Sequence, residues 1–239
     1  KGSSKFIDDS KWSYGSFVLI ATSGVVLNIC IVIKLGVENL GVFNQVYAVY
    51  VICSHLAVLG VHESVQKHVA QYTKEENLSN TISLAGLIFV SACGLMVAVT
   101  MYCLSETIGR VVNSPSIGQG VALTTPGLFL FAVNKVLMAA LNGERRMKAF
   151  AIDQSIRALA ILISGMVIVW STKPSYTLGA SFTIAEIVLV LPLLLAVYPS
   201  HRRSIVWPEL SEWIHRHMCF GLRVLPNGFL SESYLRIDI

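Results

Sequence analysis

A few charged residues stand inside stretches that are otherwise apolar. Lys135 follows Asn134, Arg157 lies four residues after Asp153, Glu186 sits alone, and Arg236 and Asp238 stand near the end of the chain. Charges in such surroundings are rare and mark functional positions by default. Lysine and arginine, helped by an amide, can hold an anionic head group; a buried carboxylate can take up a coupling ion. On that reading Lys135, Arg157, Asn134 and Arg236 are the candidate substrate-binding residues, and Glu186 and Asp238 the candidate ion-coupling residues. A structural reading stands beside it. Asp153 and Arg157 fall one turn apart on one helix face and can pair there. Glu186 can pair with Lys135 across a bundle, and the long stem of Lys135 can reach toward the nearer interface.

The elements that carry these residues follow from composition. Of 239 residues, 54% are hydrophobic and only 13% charged, and mean hydropathy is +0.65. Too little polar surface exists to coat a soluble globule of this size, so the chain reads as an all-α polytopic membrane protein. Crossing about 30 Å of hydrocarbon takes about 20 apolar residues per helix. Such stretches run over 12–33, 39–62, 77–105, 111–141, 149–170 and 177–198, and a further one begins at Met218. Six complete transmembrane helices and the start of a seventh are therefore expected. The expected organisation is an N-terminal six-helix lobe over 1–198, a cytoplasmic interfacial linker over 199–217, and the start of a second lobe over 218–239. With no initiator methionine and a last span cut short, the chain reads as part of a longer protein.

The basic residues give an orientation. Eleven of the eighteen lysines and arginines fall on the side of the N-terminus, three on the other side and four within spans. Positive charge concentrates on the cytoplasmic face, so the N-terminus is expected in the cytoplasm and the chain in the cell's inner membrane. This bias accounts for much of the net charge of +4 without nucleic acid as a partner. Trp12, Tyr14, Tyr102, Trp170, Tyr176 and Tyr198 mark span ends, as amphipathic rings do at bilayer interfaces. Pro208 can open a short helix in the linker, with Trp207 and Trp213 resting on the membrane surface.

Two prolines interrupt spans. Pro126-Gly127 breaks the fourth and Pro226, followed by Gly228, the seventh, so both helices are expected to kink. Enzymatic signatures are absent: no HExxH, GxSxG or phosphate-binding glycine loop occurs, so no catalytic residue and no cofactor is expected. The five cysteines lack metal spacing, and His55 and His62 share a helix face better suited to packing than to metal. No metal site is expected.

Leu40-Gly41-Val42-Phe43-Asn44-Gln45-Val46-Tyr47 and the segment Leu59-Gly60 through Lys67 to Ala70-Gln71-Tyr72 form a recognisable second helix. With Ala139-Ala140-Leu141-Asn142-Gly143 before Arg145-Arg146-Met147, and Phe220-Gly221-Leu222-Arg223-Val224-Leu225-Pro226, they resemble the polysaccharide-biosynthesis, O-antigen-type flippases. These belong to the multidrug/oligosaccharidyl-lipid/polysaccharide exporter superfamily. Lys67 replaces the usual arginine, and Gln71 the usual glutamate. The resemblance implies one lobe of a two-lobed transporter that works by alternating access. Its implied cargo is undecaprenyl-pyrophosphate-linked oligosaccharide, and its implied partners are membrane lipids, a polysaccharide polymerase and a chain-length regulator. An ion-coupled multidrug exporter is the alternative, although the first span offers only Asn28 where some such exporters carry a carboxylate. A non-transporting scaffold of a glycan-assembly complex is the alternative of another class.

Overall fold

The computed structural model describes the backbone of residues 2–171, 173–197 and 205–234, and the side chains from residue 9 to 226 within those limits. Apolar sequence in a medium without water must satisfy its own backbone groups, and helices do so. The elements are α1 (Gly2–Leu35), α2 (Val37–Val58), α3 (Val61–Gln71), α4 (Glu76–Val111), α5 (Pro115–Gly143), α6 (Met147–Val169), a 3₁₀ turn (Ser175–Gly179), α7 (Ala180–Val197) and α8 (Trp207–Tyr234). Six segments are long and apolar enough to cross a membrane, carried by α1, α2, α4, α5, α6 and the 3₁₀ turn with α7. All six correspond to the stretches expected from hydropathy.

The span expected over 39–62 is not one helix. It ends at Val58, and Leu59 and Gly60 both take left-handed backbone, with φ of 48° and 68°. The chain then restarts as α3, which is short and amphipathic. The break has a physical partner. A Cβ on Gly221 of α8 would overlap the Leu59 carbonyl, and one on Gly60 would meet the Gly221 carbonyl at 3.1 Å. Two glycines thus let α8 cross the bend at backbone contact. By contrast α5 continues as one helix through Pro126, and α8 through Pro226 and Gly228.

Around α5 the bundle closes: α4 packs along it, and α2, α3 and α7 also lie against it. Helices α1 and α6 run side by side and are fastened at both ends. The Lys148 ammonium lies 5.0 Å from the Trp12 ring and that of Lys34 5.8 Å from Trp170. In each helix the clamping residues are 22 positions apart, which at 1.5 Å per residue is roughly 33 Å, about the thickness a span must cover. The two pairs are therefore spaced as the two ends of a membrane span would be. We call the one bearing Trp12 and Lys148 the basic end.

Trp213 does not rest on the membrane surface. It is buried at 3% exposure among Val65, Val69 and Ile82, with its ring 5.1 Å from that of His68. Trp207, six positions earlier, is exposed. Helix α8 is amphipathic, and Leu210, Trp213 and Ile214 on its apolar side pack on α3 and α4.

Candidate functional site

Three helices bring a polar side chain to one depth. Asn134 lies nine residues before the end of α5, Arg157 ten after the start of α6, and Glu186 eleven before the end of α7. At 1.5 Å per residue these are roughly 14, 15 and 17 Å from the basic end, the middle of a 30 Å hydrocarbon layer. There they meet. Arg157 Nε approaches Glu186 Oε1 to 2.9 Å, and Arg157 Nη2 donates to Oε2 at 3.2 Å. Asn134 Nδ2 donates to the same Oε2 at 2.9 Å and to the Glu186 backbone carbonyl at 3.0 Å.

The pair is unequal. The Glu186 side chain is 2% exposed, while 17% of the Arg157 side chain remains accessible. Nor is the pair fully made. The Nε contact is short but lies outside hydrogen-bond geometry, since Arg157 Nε has no hydrogen-bond partner. The Arg157 guanidinium also lies 4.9 Å from the centroid of Phe131, and Lys135 Nζ lies 6.0 Å from the same ring. Two cations therefore lie against one aromatic ring, each attracted by its quadrupole.

Behind Phe131 stands an aromatic stack. Tyr50 meets Phe131 edge-on at 6.0 Å and stacks on Phe182 at 4.9 Å; Phe43 and Tyr47 flank Phe182 at 5.5 and 5.4 Å. The Tyr50 hydroxyl is buried beside Glu186 without a hydrogen bond of ordinary geometry. Among the described residues, five buried side-chain atoms lack one: Tyr50 Oη, His62 Nδ1, Asn134 Oδ1, Asp153 Oδ2 and Arg157 Nε. All lie in this cluster or beside it, His62 near Lys135 and Asp153 near Arg157. Polar groups in a low-dielectric interior are normally satisfied, so this concentration distinguishes the cluster from ordinary helix packing.

The pairings expected from sequence are rearranged. Glu186 takes Arg157 and Asn134, and the Arg157 guanidinium reaches across to α7, leaving Asp153 buried one turn below with one oxygen unbonded. Arg236 and Asp238 lie outside the described residues. Sequence reasoning missed Tyr50 and Phe131. The spacing of Phe43, Tyr47 and Tyr50, one face of α2, was the available signal. Two open grooves, of about 480 and 800 Å3, lie elsewhere, one at the basic end by Lys74 and Glu209 and one between α4 and α5 near Tyr102 and Arg110. Within the pair, Glu186 is closed off by packing and the Arg157 side chain is the partly accessible partner.

The family model for polysaccharide biosynthesis protein matches residues 10–235. The chain belongs to this family, the polysaccharide-biosynthesis flippases of the multidrug/oligosaccharidyl-lipid/polysaccharide exporter superfamily. No curated protein and no solved structure shows a significant match to the chain. Family membership covers almost all of the described residues and includes every helix that builds the cluster, so a multi-pass membrane protein of a flippase family carries this buried, cation-edged site.

Proposed function

We propose that the chain is a lobe of a flippase that moves undecaprenyl-pyrophosphate-linked oligosaccharide across the cytoplasmic membrane, with its N-terminus in the cytoplasm. The observation that carries this reading is the pair of cations, Arg157 and Lys135, over the Phe131 ring, with Arg157 at mid-bilayer depth. A pyrophosphate is a dense anion whose oxygens match the fork of a guanidinium. Held at the middle of the membrane, it is equally far from both leaflets, which suits a site that opens to each side in turn.

Glu186 is committed to Arg157 and Asn134, which speaks for an anionic cargo over the cationic one of a drug exporter. The basic residues at one end support the orientation. Two measurements test the proposal in cells lacking the gene. Lipid-linked repeat units should accumulate on the cytoplasmic leaflet while surface polysaccharide is lost. The full-length protein should restore export, and Arg157→Ala or Lys135→Ala at normal protein level should not. Restored export by either variant removes that residue from the site. Normal lipid-linked sugar with drug sensitivity moves the function to drug export.

A further inference from the structure

Resting on the pyrophosphate reading above, we propose that Glu186 is the resident competitor for Arg157: it holds the guanidinium when the site is empty, yields it to the phosphate, and reclaims it to drive release. The geometry assigns the two partners different duties. Glu186 is almost wholly buried and is held from behind, because Asn134 bonds both its carboxylate and its backbone carbonyl. The Arg157 side chain is the partly accessible partner. Of the two partners an entering anion therefore meets Arg157 first, and it is Arg157, not Glu186, that can turn.

The present pair is suited to exchange. One of its two contacts is a hydrogen bond, and the other, at Nε, is close but misaligned. A phosphate offers several oxygens and can engage both donors at once. The Phe131 face stays beneath the guanidinium whichever anion it holds, so the ring steadies the turn. When Arg157 leaves, Glu186 keeps Asn134 as a donor and has the buried, unbonded hydroxyl of Tyr50 at hand. Lys135 from α5 and Asp153 from α6 are the other charged groups near the exchange. A carboxylate that waits in place lowers the affinity of the site, and a transporter that must let go of a doubly charged head group needs a low affinity.

The test is binding and turnover of the full-length protein in nanodiscs and proteoliposomes, with undecaprenyl pyrophosphate as the probe. Glu186→Gln removes the competitor while keeping the Asn134 contact in shape. It should bind the probe at least about tenfold more tightly, the gain expected when a charge-assisted bond no longer has to be broken first, and should flip it more slowly. Glu186→Asp, with its shorter reach, should lie between, and it gives the answer if the glutamine variant fails to fold. Arg157→Ala separates the two claims. If it binds the probe as well as the unmodified protein does, the pyrophosphate reading at Arg157 fails. If it loses binding but neither Glu186 variant binds more tightly, the reading stands and the competitor role is overturned.

Discussion

The hydroxyl of Thr183 on α7 sits against Gly127 of α5, accepting from the Gly127 amide at 3.1 Å and donating to the Leu123 carbonyl at 2.6 Å. Those two backbone groups lie one turn apart, the spacing at which an uninterrupted helix bonds them to each other. Pro126 brings no amide of its own, and Thr125 Oγ1 covers the Ala122 carbonyl that it leaves open, at 2.8 Å. The proline therefore does not work as a loose hinge. It opens a slot that a side chain from a neighbouring helix fills, and it fixes α7 on α5 three residues before Glu186.

Replacing Thr183 with valine keeps the shape and removes both bonds. Two backbone groups are then left unpaired in a dry interior, a loss of about 1–3 kcal/mol. The midpoint of thermal unfolding in detergent should fall, and export should fall with it because Glu186 loses its register. Gly127→Ala should be harsher, since a Cβ there would stand 2.9 Å from the Thr183 Cα, a backbone atom that can only yield by moving α7. An unchanged midpoint for both variants contradicts this account of the joint.

The Arg157–Glu186 pair makes a separate prediction for stability. Arg157→Ala leaves the buried Glu186 carboxylate without its guanidinium partner, and breaking a buried pair from one side typically destabilises by about 3–5 kcal/mol. Glu186→Leu alone strands the cation instead, at a smaller loss because Arg157 retains access to water. The double variant Arg157→Ala with Glu186→Leu should be more stable than either loss added to the other. Additive losses in a double-mutant cycle indicate that the two residues do not act on each other.

Hydropathy alone made the six spans legible, because covering about 30 Å of hydrocarbon leaves little freedom in length or composition. The charged residues were legible for the same reason, since an arginine at position 157 has no excuse in lipid. Their partners were not. Arg157 and Glu186 are 29 positions apart, and nothing in either helix says which face meets which. The break at Leu59–Gly60 was hidden because leucine rarely takes left-handed backbone and because its cause, Gly221, lies in α8. At Pro126 the interruption itself was legible, while the Thr183 hydroxyl that fills the slot comes from 57 positions on. A tryptophan in a polar linker points to the interface, yet Trp213 is buried against α3 and α4 because its helix docks on the bundle.

Cysteine chemistry can check both the burial pattern and the orientation. Cys103, near the non-basic end of α4, is exposed; Cys53 and Cys93 are buried, and Cys30 and Cys219 are half-buried. With the N-terminus in the cytoplasm, Cys103 lies toward the outer surface. A membrane-impermeant maleimide added to intact cells should label the full-length protein at Cys103, and Cys103→Ser should abolish the signal from these five positions. Labelling of Cys103 only after the cells are broken open would reverse the orientation.

The joint between α8 and the bundle should respond to acid. His217 is fully buried, and its Nε2 lies 3.0 Å from the Ile82 carbonyl. A carbonyl can only accept, so Nε2 carries the proton, and Nδ1 accepts from Ser64 Oγ at 2.8 Å. The ring is thus satisfied as the neutral form, and burial pushes its pKa from 6.5 down to about 4. His68 from α3 and Trp213 from α8 adjoin its ring, Lys67 and Arg216 stand near His68, and burial holds His68 below its usual value too. Above about pH 6.5 the imidazole is neutral in both folded and unfolded chains and contributes no pH dependence. As pH falls from 6.5 to about 4, the unfolded chain takes up a proton that the folded one refuses, so stability declines, by up to about 3 kcal/mol from His217. His217→Gln can keep the donor to Ile82 and has nothing to titrate. Unfolding midpoints measured at pH 7.5, 6 and 5 should therefore fall more steeply for the unmodified protein than for the variant, and equal slopes would show that His217 does not set the acid sensitivity of this joint.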